Sequence, residues 1–230
     1  MRRVAFAPTA ITVTLDPGEL KPAVRAAREM GARCTRIWET VAYYEHCAER
    51  FGGKAPIDVC AEHEWVGPDV WFAHLVHLSQ AEQALLGETG TGIAHCPQSN
   101  RRLGSGVGAG TGAGVAGARV SIGVDSAASN EAADMLSELH AAWLLHRAHA
   151  GSAARPRPEG EGEQGASAVT VEELVHWAST RGAAVLGLKA WARWHRGWPP
   201  TSRCGRSTTR ATSACTTRRW HRWSAARGRG

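Results

Sequence analysis

Ser121-Ile122-Gly123-Val124-Asp125-Ser126-Ala127-Ala128-Ser129-Asn130 reads as a buried strand that delivers one acidic residue, Asp125, into a loop of small residues. Upstream, Ala94-His95-Cys96-Pro97-Gln98-Ser99-Asn100 reads as a second strand ending in a polar, proline-braced loop. Functional groups carried at the ends of successive parallel strands are how a (β/α)-barrel builds its catalytic face. The rest of the chain is consistent with that reading. Val4–Thr9, Arg33–Thr40, Val70–His74, Gly92–His95 and Val120–Asp125 are strand-like. Between them lie helical segments over Pro17–Met30, Tyr43–Phe51, Ile57–Glu64 and Ser79–Glu88. The first has Leu20, Val24 and Ala27 at helical spacing, and Ser79 with Glu82 forms a capping-box signature. Glu131–His149 is a long helix with Met135, Leu139, Ala142 and Leu145 on one face, and Thr170 caps a last helix to about Leu188. This order of strands and helices predicts a parallel α/β sheet, open or barrelled.

Composition bounds the class. At 230 residues the chain can bury one full core, so one domain or part of a larger one is expected. Nothing at the N-terminus has the apolar run of a signal peptide or membrane span. The six cysteines show no CxxC pairing and read as free cytosolic thiols, placing the chain in the cytoplasm. The formal net charge of +6 is unevenly distributed. Residues 189–230 hold 11 Lys and Arg and no acid, whereas residues 1–188 carry 16 Lys and Arg against 21 Asp and Glu. The expected organisation is therefore an acidic body over 1–188, with a mobile loop over 151–168, and an irregular or disordered basic tail over 189–230.

Three segments carry a family resemblance: Trp71-Phe72-Ala73-His74-Leu75-Val76-His77-Leu78, Gly90–Asn100, and Ile122-Gly123-Val124-Asp125. From Arg3 to Leu188 the chain resembles the amidohydrolases of the cytosine/guanine-type deaminase and triazine-hydrolase group, nearest to deaminases of isoxanthopterin and 8-oxoguanine. The resemblance implies a partial (β/α)8 (TIM-type) barrel covering about strands 4 to 8. It also implies hydrolytic deamination of a pterin or oxopurine ring. In intact members one zinc or iron lowers the pKa of a bound water to about 7, and a carboxylic acid shuttles protons to the leaving ammonia. On that pattern Asp125 is the strand-8 metal ligand, His74 the strand-6 histidine that orients the hydroxide, and Glu39 the acid/base. His95 and Asn100 lie where members bind substrate. Taken alone, Glu39 reads as a surface carboxylate, His74 and His77 as satisfied loop histidines, and Asp125 as a turn or cap.

The departures from the pattern are as informative. No His-x-His pair occurs, and the chain is expected to begin near strand 4. Arg36 occupies the strand-5 ligand position, and a guanidinium cannot ligate a divalent cation. With only Asp125 left of four ligands, metal is expected not to be retained and the chain to be inactive. Several stretches read as frame-disturbed. Read two bases later, back-translated codons of 207–217 permit Asp-Asp-Pro-Arg-Tyr-Phe-Gly-Leu-His-Asp-Pro, a run typical of these deaminases. The glycine alternation over 108–114 similarly replaces a helix start, at about 1 kcal/mol per Gly relative to Ala. Half a barrel leaves two sheet edges, so aggregation or a homodimer would follow. Expected partners are a small heterocyclic substrate and no membrane. The alternative reading is a nucleic-acid-binding fragment that uses the interleaved Trp and Arg of the tail, against which the acidic body weighs. A deaminase of the Cys-ligand type is set aside, because His95-Cys96-Pro97 is not the required H-x-E with P-C-x-x-C.

Overall fold

The computed structural model describes residues 5–8, 10–108, 117–130, 133–153 and 169–188. The chain divides into two units, Met1–Arg193 and Trp194–Gly230, and every described residue lies in the first. The expected loop over 151–168, from 154 onward, and the basic tail fall outside the described residues.

Five strands form the sheet: β1 (Ala5–Phe6), β2 (Arg33–Trp38), β3 (Val70–His74), β4 (Gly92–His95) and β5 (Arg119–Ile122). They are all parallel and lie in chain order, β1-β2-β3-β4-β5. A doubly wound open sheet reverses its strand order at a switch point. Unbroken sequential order is instead the winding of a (β/α)-barrel, here an arc of five strands.

Helices fill the crossovers. Between β1 and β2 come α1 (Ile11–Thr14) and α2 (Pro17–Glu29). Next come α3 (Val41–Arg50) and α4 (Pro56–Glu62), then α5 (Gln80–Thr89) and α6 (Pro97–Arg102). After β5 follow α7 (Ala127–Asn130), α8 (Met135–Ala153), α9 (Val171–His176), a π-helical turn over Trp177–Arg181, and α10 (Gly182–Val185). Among the described residues no helix is long and apolar enough to cross a membrane.

Local chemistry explains most boundaries. Both Ser79 and Thr170 accept the N3 amide while Glu82 and Glu173 reach back, completing two capping boxes. Gly90 closes α5 in the left-handed conformation (φ 65°). The expected strands over Val4–Thr9, Arg33–Thr40 and Val120–Asp125 are shorter, ending at Phe6, Trp38 and Ile122, and three further expectations need correction. The long helix starts at Met135 rather than Glu131, because the Asp134 carboxylate accepts from the amides of Leu136 and Ser137 and caps it there. The proline-braced loop contains a helix, α6, since Pro97 occupies a first-turn position that needs no N–H. The last helix is interrupted by the π-turn, where the Ser179 hydroxyl donates to the Val175 carbonyl and loosens the regular ladder.

The core follows the pleat. Cys34 and Trp38 of β2, Val70 and Phe72 of β3, Ile93 of β4 and Val120 of β5 fall on one face by register and are buried. They share one apolar cluster with Leu20, Val24 and Ala27 of α2, Ile57 and Val59 of α4, and Leu86 of α5. Trp38 and Phe72 stack with ring centroids 5.1 Å apart. Cys34, Cys47, Cys60 and Cys96 are buried, and none of them forms a disulfide among the described residues.

Candidate active site

The carboxy ends of the strands bring the expected groups together. Glu39 follows β2, His74 ends β3, His95 ends β4 and Asp125 lies just beyond β5. Trp38 and His74 are register partners, as are His95 and Ile122. Backbone bonds continue both ladders into the loops, from Leu75 N–H to Trp38 O (2.9 Å) and from Gly123 N–H to His95 O (2.8 Å). Among the described residues five non-glycine residues have positive φ, and three of them stand at these strand ends: His74 (68°), Leu75 (46°) and Asp125 (62°). Such backbone costs about 1–3 kcal/mol per residue and clusters where side chains must be aimed for function.

His74 is the hub. Its Nδ1 lies 2.8 Å from Asn100 Oδ1 and 4.0 Å from Glu39 Oε1, and its Nε2 lies 3.8 Å from Asp125 Oδ2. As both carboxylates stand beyond hydrogen-bonding range of the ring, their effect on it is electrostatic. Glu39 is itself fixed by the Ser105 hydroxyl, which donates to Oε1 at 2.8 Å. Two more hydroxyls converge on Asp125 Oδ2, from Ser99 at 2.7 Å and Ser129 at 3.0 Å. Burial opposes ionisation of Asp125, but the Ser99 and Ser129 donors and nearby His74 outweigh it and hold the carboxyl below its usual range.

Behind this wall His95 is fully buried, with its Nε2 3.0 Å from His146 Nε2. Burial, then the charges of His146 and His74, push the His95 imidazole far below its usual pKa. Asn100 is equally buried and bonds the His74 ring. His95 Nδ1 and Asn100 Nδ2 have no hydrogen-bond partner among the described residues. Gly108 (φ 81°) packs against both, and a methyl added there would lie 3.1 Å from the first and 3.4 Å from the second. Cys96 is a poor nucleophile here, because burial raises its thiol well above the usual range.

Among the described residues the donor set does not make a metal centre. Among the described residues no three His, Cys, Asp or Glu side chains converge on one point. Asp125 and His74 offer two donors, while Glu39 lies toward the Nδ1 edge of the ring. Arg36 is paired through its backbone with Phe72, and its side chain is outside the described residues. Sequence reasoning missed Ser99, Ser105 and Ser129, the hydroxyls that orient the two carboxylates. It also missed Glu138, whose signal was an acid set beside the apolar face of α8.

A family model described as "Amidohydrolase family" matches residues 3–190. The chain belongs to the amidohydrolase family. It is 48% identical over 190 residues to an isoxanthopterin deaminase from an unknown prokaryotic organism, covering 82% of this chain and 39% of that protein. It is 35% identical over 178 residues to 8-oxoguanine deaminase from Pseudomonas aeruginosa, covering 75% of this chain and 36% of that protein. An adenosine deaminase from Xanthomonas campestris, solved with bound zinc, superposes with a TM-score of 0.71 at 26% identity. That match covers 80% of this chain and 39% of the other. This amidohydrolase chain thus spans less than two fifths of the length of each of these three relatives.

Proposed function

We propose that this chain supplies one wall of a cytoplasmic hydrolase of carbon–nitrogen bonds that deaminates a pterin or oxopurine ring, with residues 1–188 as its barrel segment. The observation that carries the reading is the placement of Glu39 and Asp125 on either side of His74, at the ends of β2, β5 and β3 respectively, each carboxylate within 4.0 Å of the ring. Two carboxylates flanking an imidazole suit a reaction in which protons move between a ring nitrogen and a leaving amine. Glu39, aimed by Ser105, is the acid/base. His74 orients the attacking oxygen, and Asp125 is the family's remaining metal ligand. His95 and Asn100 serve the substrate pocket from behind, Asn100 by fixing the His74 ring.

The metal of intact members supplies a hydroxide nucleophile when bound, but the donor set described above does not fit it. We therefore take this chain, by itself, to be unable to turn over. The purified chain, assayed for metal by elemental analysis and for ammonia release from isoxanthopterin and 8-oxoguanine, should hold well under one metal ion per chain and release none. One zinc per chain with turnover overturns the inactivity. Fluorescence titration with isoxanthopterin tests the substrate class separately. Binding should weaken on Glu39→Gln, and failure of both heterocycles to bind overturns that class.

A further inference from the structure

Glu138 stands one turn into α8 and is completely buried. A carboxylate so placed must be surrounded by donors to offset its lost hydration. Its donors come from two different strand-end loops. The backbone N–H of Gln98 donates at 2.8 Å and the Gln98 side-chain amide at 2.9 Å, both from α6 after β4. The third donor is the side-chain amide of Asn130, at the end of α7 after β5.

The partners of Glu138 are the chain neighbours of the partners of Asp125. Gln98 precedes Ser99 and Asn130 follows Ser129, and Ser99 and Ser129 are the two hydroxyls on Asp125 Oδ2. Asn130 also donates to the carbonyl of Val124 at 2.8 Å, the residue immediately before Asp125. Its amide orientation is fixed, because its oxygen accepts from the Ala133 N–H at 3.1 Å while its nitrogen faces two acceptors. One carboxylate on α8 therefore ties together both hydroxyl donors and the peptide that leads into the left-handed turn at Asp125.

We infer that Glu138 is the positioning residue for Asp125, holding the loops after β4 and β5 in the one arrangement that aims its carboxylate past Ser99 and Ser129 toward His74. The role follows from the count of donors. A carboxylate accepts from all three N–H groups, whereas Gln at this site offers one carbonyl oxygen and one NH2 group that would oppose a donor. Because Oε1 accepts the Gln98 backbone N–H and Oε2 accepts both side-chain amides, Glu138→Gln opposes either the Gln98 backbone N–H or the Gln98 and Asn130 side-chain amides together, while keeping size and packing.

The test reads the geometry of Asp125 and needs no catalysis, so it is separate from the proposed reaction. Isotope-labelled full chain is compared with Glu138→Gln, with Gln98→Ala, and with Leu86→Ala as a core variant remote from the site. Backbone couplings and carbon shifts of Asp125 report its positive φ, and thermal melts report overall stability. In Glu138→Gln the positive-φ signature of Asp125 is expected to be lost, with the Ser99 and Ser129 amides shifted. Gln98→Ala, which keeps the backbone N–H donor, should fold and shift the same amides less and in the same direction. Leu86→Ala should lower the melting temperature and leave Asp125 unmoved. Should Glu138→Gln fail to fold, an unchanged Asp125 in Gln98→Ala overturns the role. So does an unchanged Asp125 in a folded Glu138→Gln, or an equal disturbance in Leu86→Ala.

Discussion

The Nε2 atoms of His95 and His146 lie 3.0 Å apart in the interior, joining the end of β4 to the middle of α8. At that separation one ring donates and the other accepts, so the pair holds a single proton between the two nitrogens. Burial is the leading cause that drives both imidazoles down, His95 to about 3 and His146 to about 4. The charge of His146, then that of His74, adds to the shift of His95, and the charge of His149 adds to that of His146.

Acid should therefore unfold this protein from the histidine side first. Both rings have folded values below the usual 6.5, so the unfolded chain binds protons that the folded chain refuses. Their contribution is complete above about pH 6.5 and erodes as pH falls from there toward 4, by up to about 1.4 kcal/mol per pH unit for each ring. Carboxylates held low, such as Asp125 and Asp69, lose their contributions only at more acid pH. Urea unfolding at pH 7, 6, 5 and 4.5 should show a falling midpoint, and His146→Phe should flatten the profile. A wild-type midpoint that stays constant down to pH 5 contradicts the buried, neutral pair.

Trp38 and Phe72 stack across β2 and β3, and both are fully buried in the cluster that the sheet shares with α2 and α5. Phe72→Ala should cost about 3–5 kcal/mol, from lost transfer energy and the cavity left beneath Trp38. Phe72→Leu should cost much less. Chemical denaturation with tryptophan fluorescence measures both, and a cost below about 1 kcal/mol for Phe72→Ala would show that the cluster rearranges to fill the space.

Arg119 opens β5 and donates to the carbonyls of Gly90 at 2.7 Å, Pro68 at 2.7 Å and Ala184 at 3.3 Å. A planar five-donor fork can serve three carbonyls that point from two loops and from α10, and a lysine ammonium on a flexible stem cannot match it. Arg119→Lys should therefore destabilise by about 1–3 kcal/mol although the charge is kept. An unchanged melting temperature would mean that these loops hold their places without the fork.

Most of the sheet was legible because its signals are local. Val70–His74 and Gly92–His95 stand in the structure with the boundaries read from sequence, and Ser79 with Glu82 caps α5 as its spacing indicates. The ends of the elements were less legible. The sequence reads Asp125 as the end of a strand, but β5 stops at Ile122 and Asp125 turns left-handed, with its carboxylate bonded to the hydroxyl of Ser99, a residue 26 positions away. The helices α1, α6 and α7 span four to six residues, too few to show a period. The polar residues of α8 were the clearest missed signal. Glu138 and His146 share a face with Ala142, so a stripe read as purely apolar carries two buried titratable groups, each tied to a strand-end loop or strand end.

The glycine-rich run from 108 gives the last prediction, because its first member is used by the fold rather than merely tolerated. Gly108 has φ 81°, and an added Cβ would press on His95 Nδ1 at 3.1 Å and on Asn100 Nδ2 at 3.4 Å. Gly52 has a similar backbone, φ 65°, with nothing within 4 Å of an added Cβ. Alanine at either position incurs the left-handed penalty of about 1–2 kcal/mol. Only at 108 must the methyl also displace a buried histidine whose other nitrogen is committed to His146. Gly108→Ala should therefore destabilise more than Gly52→Ala, and it alone should shift the ring resonances of His95 and His146. Equal costs in urea titrations, with the histidine spectra unmoved, would detach this glycine from the histidine pair and leave its backbone conformation as its whole contribution.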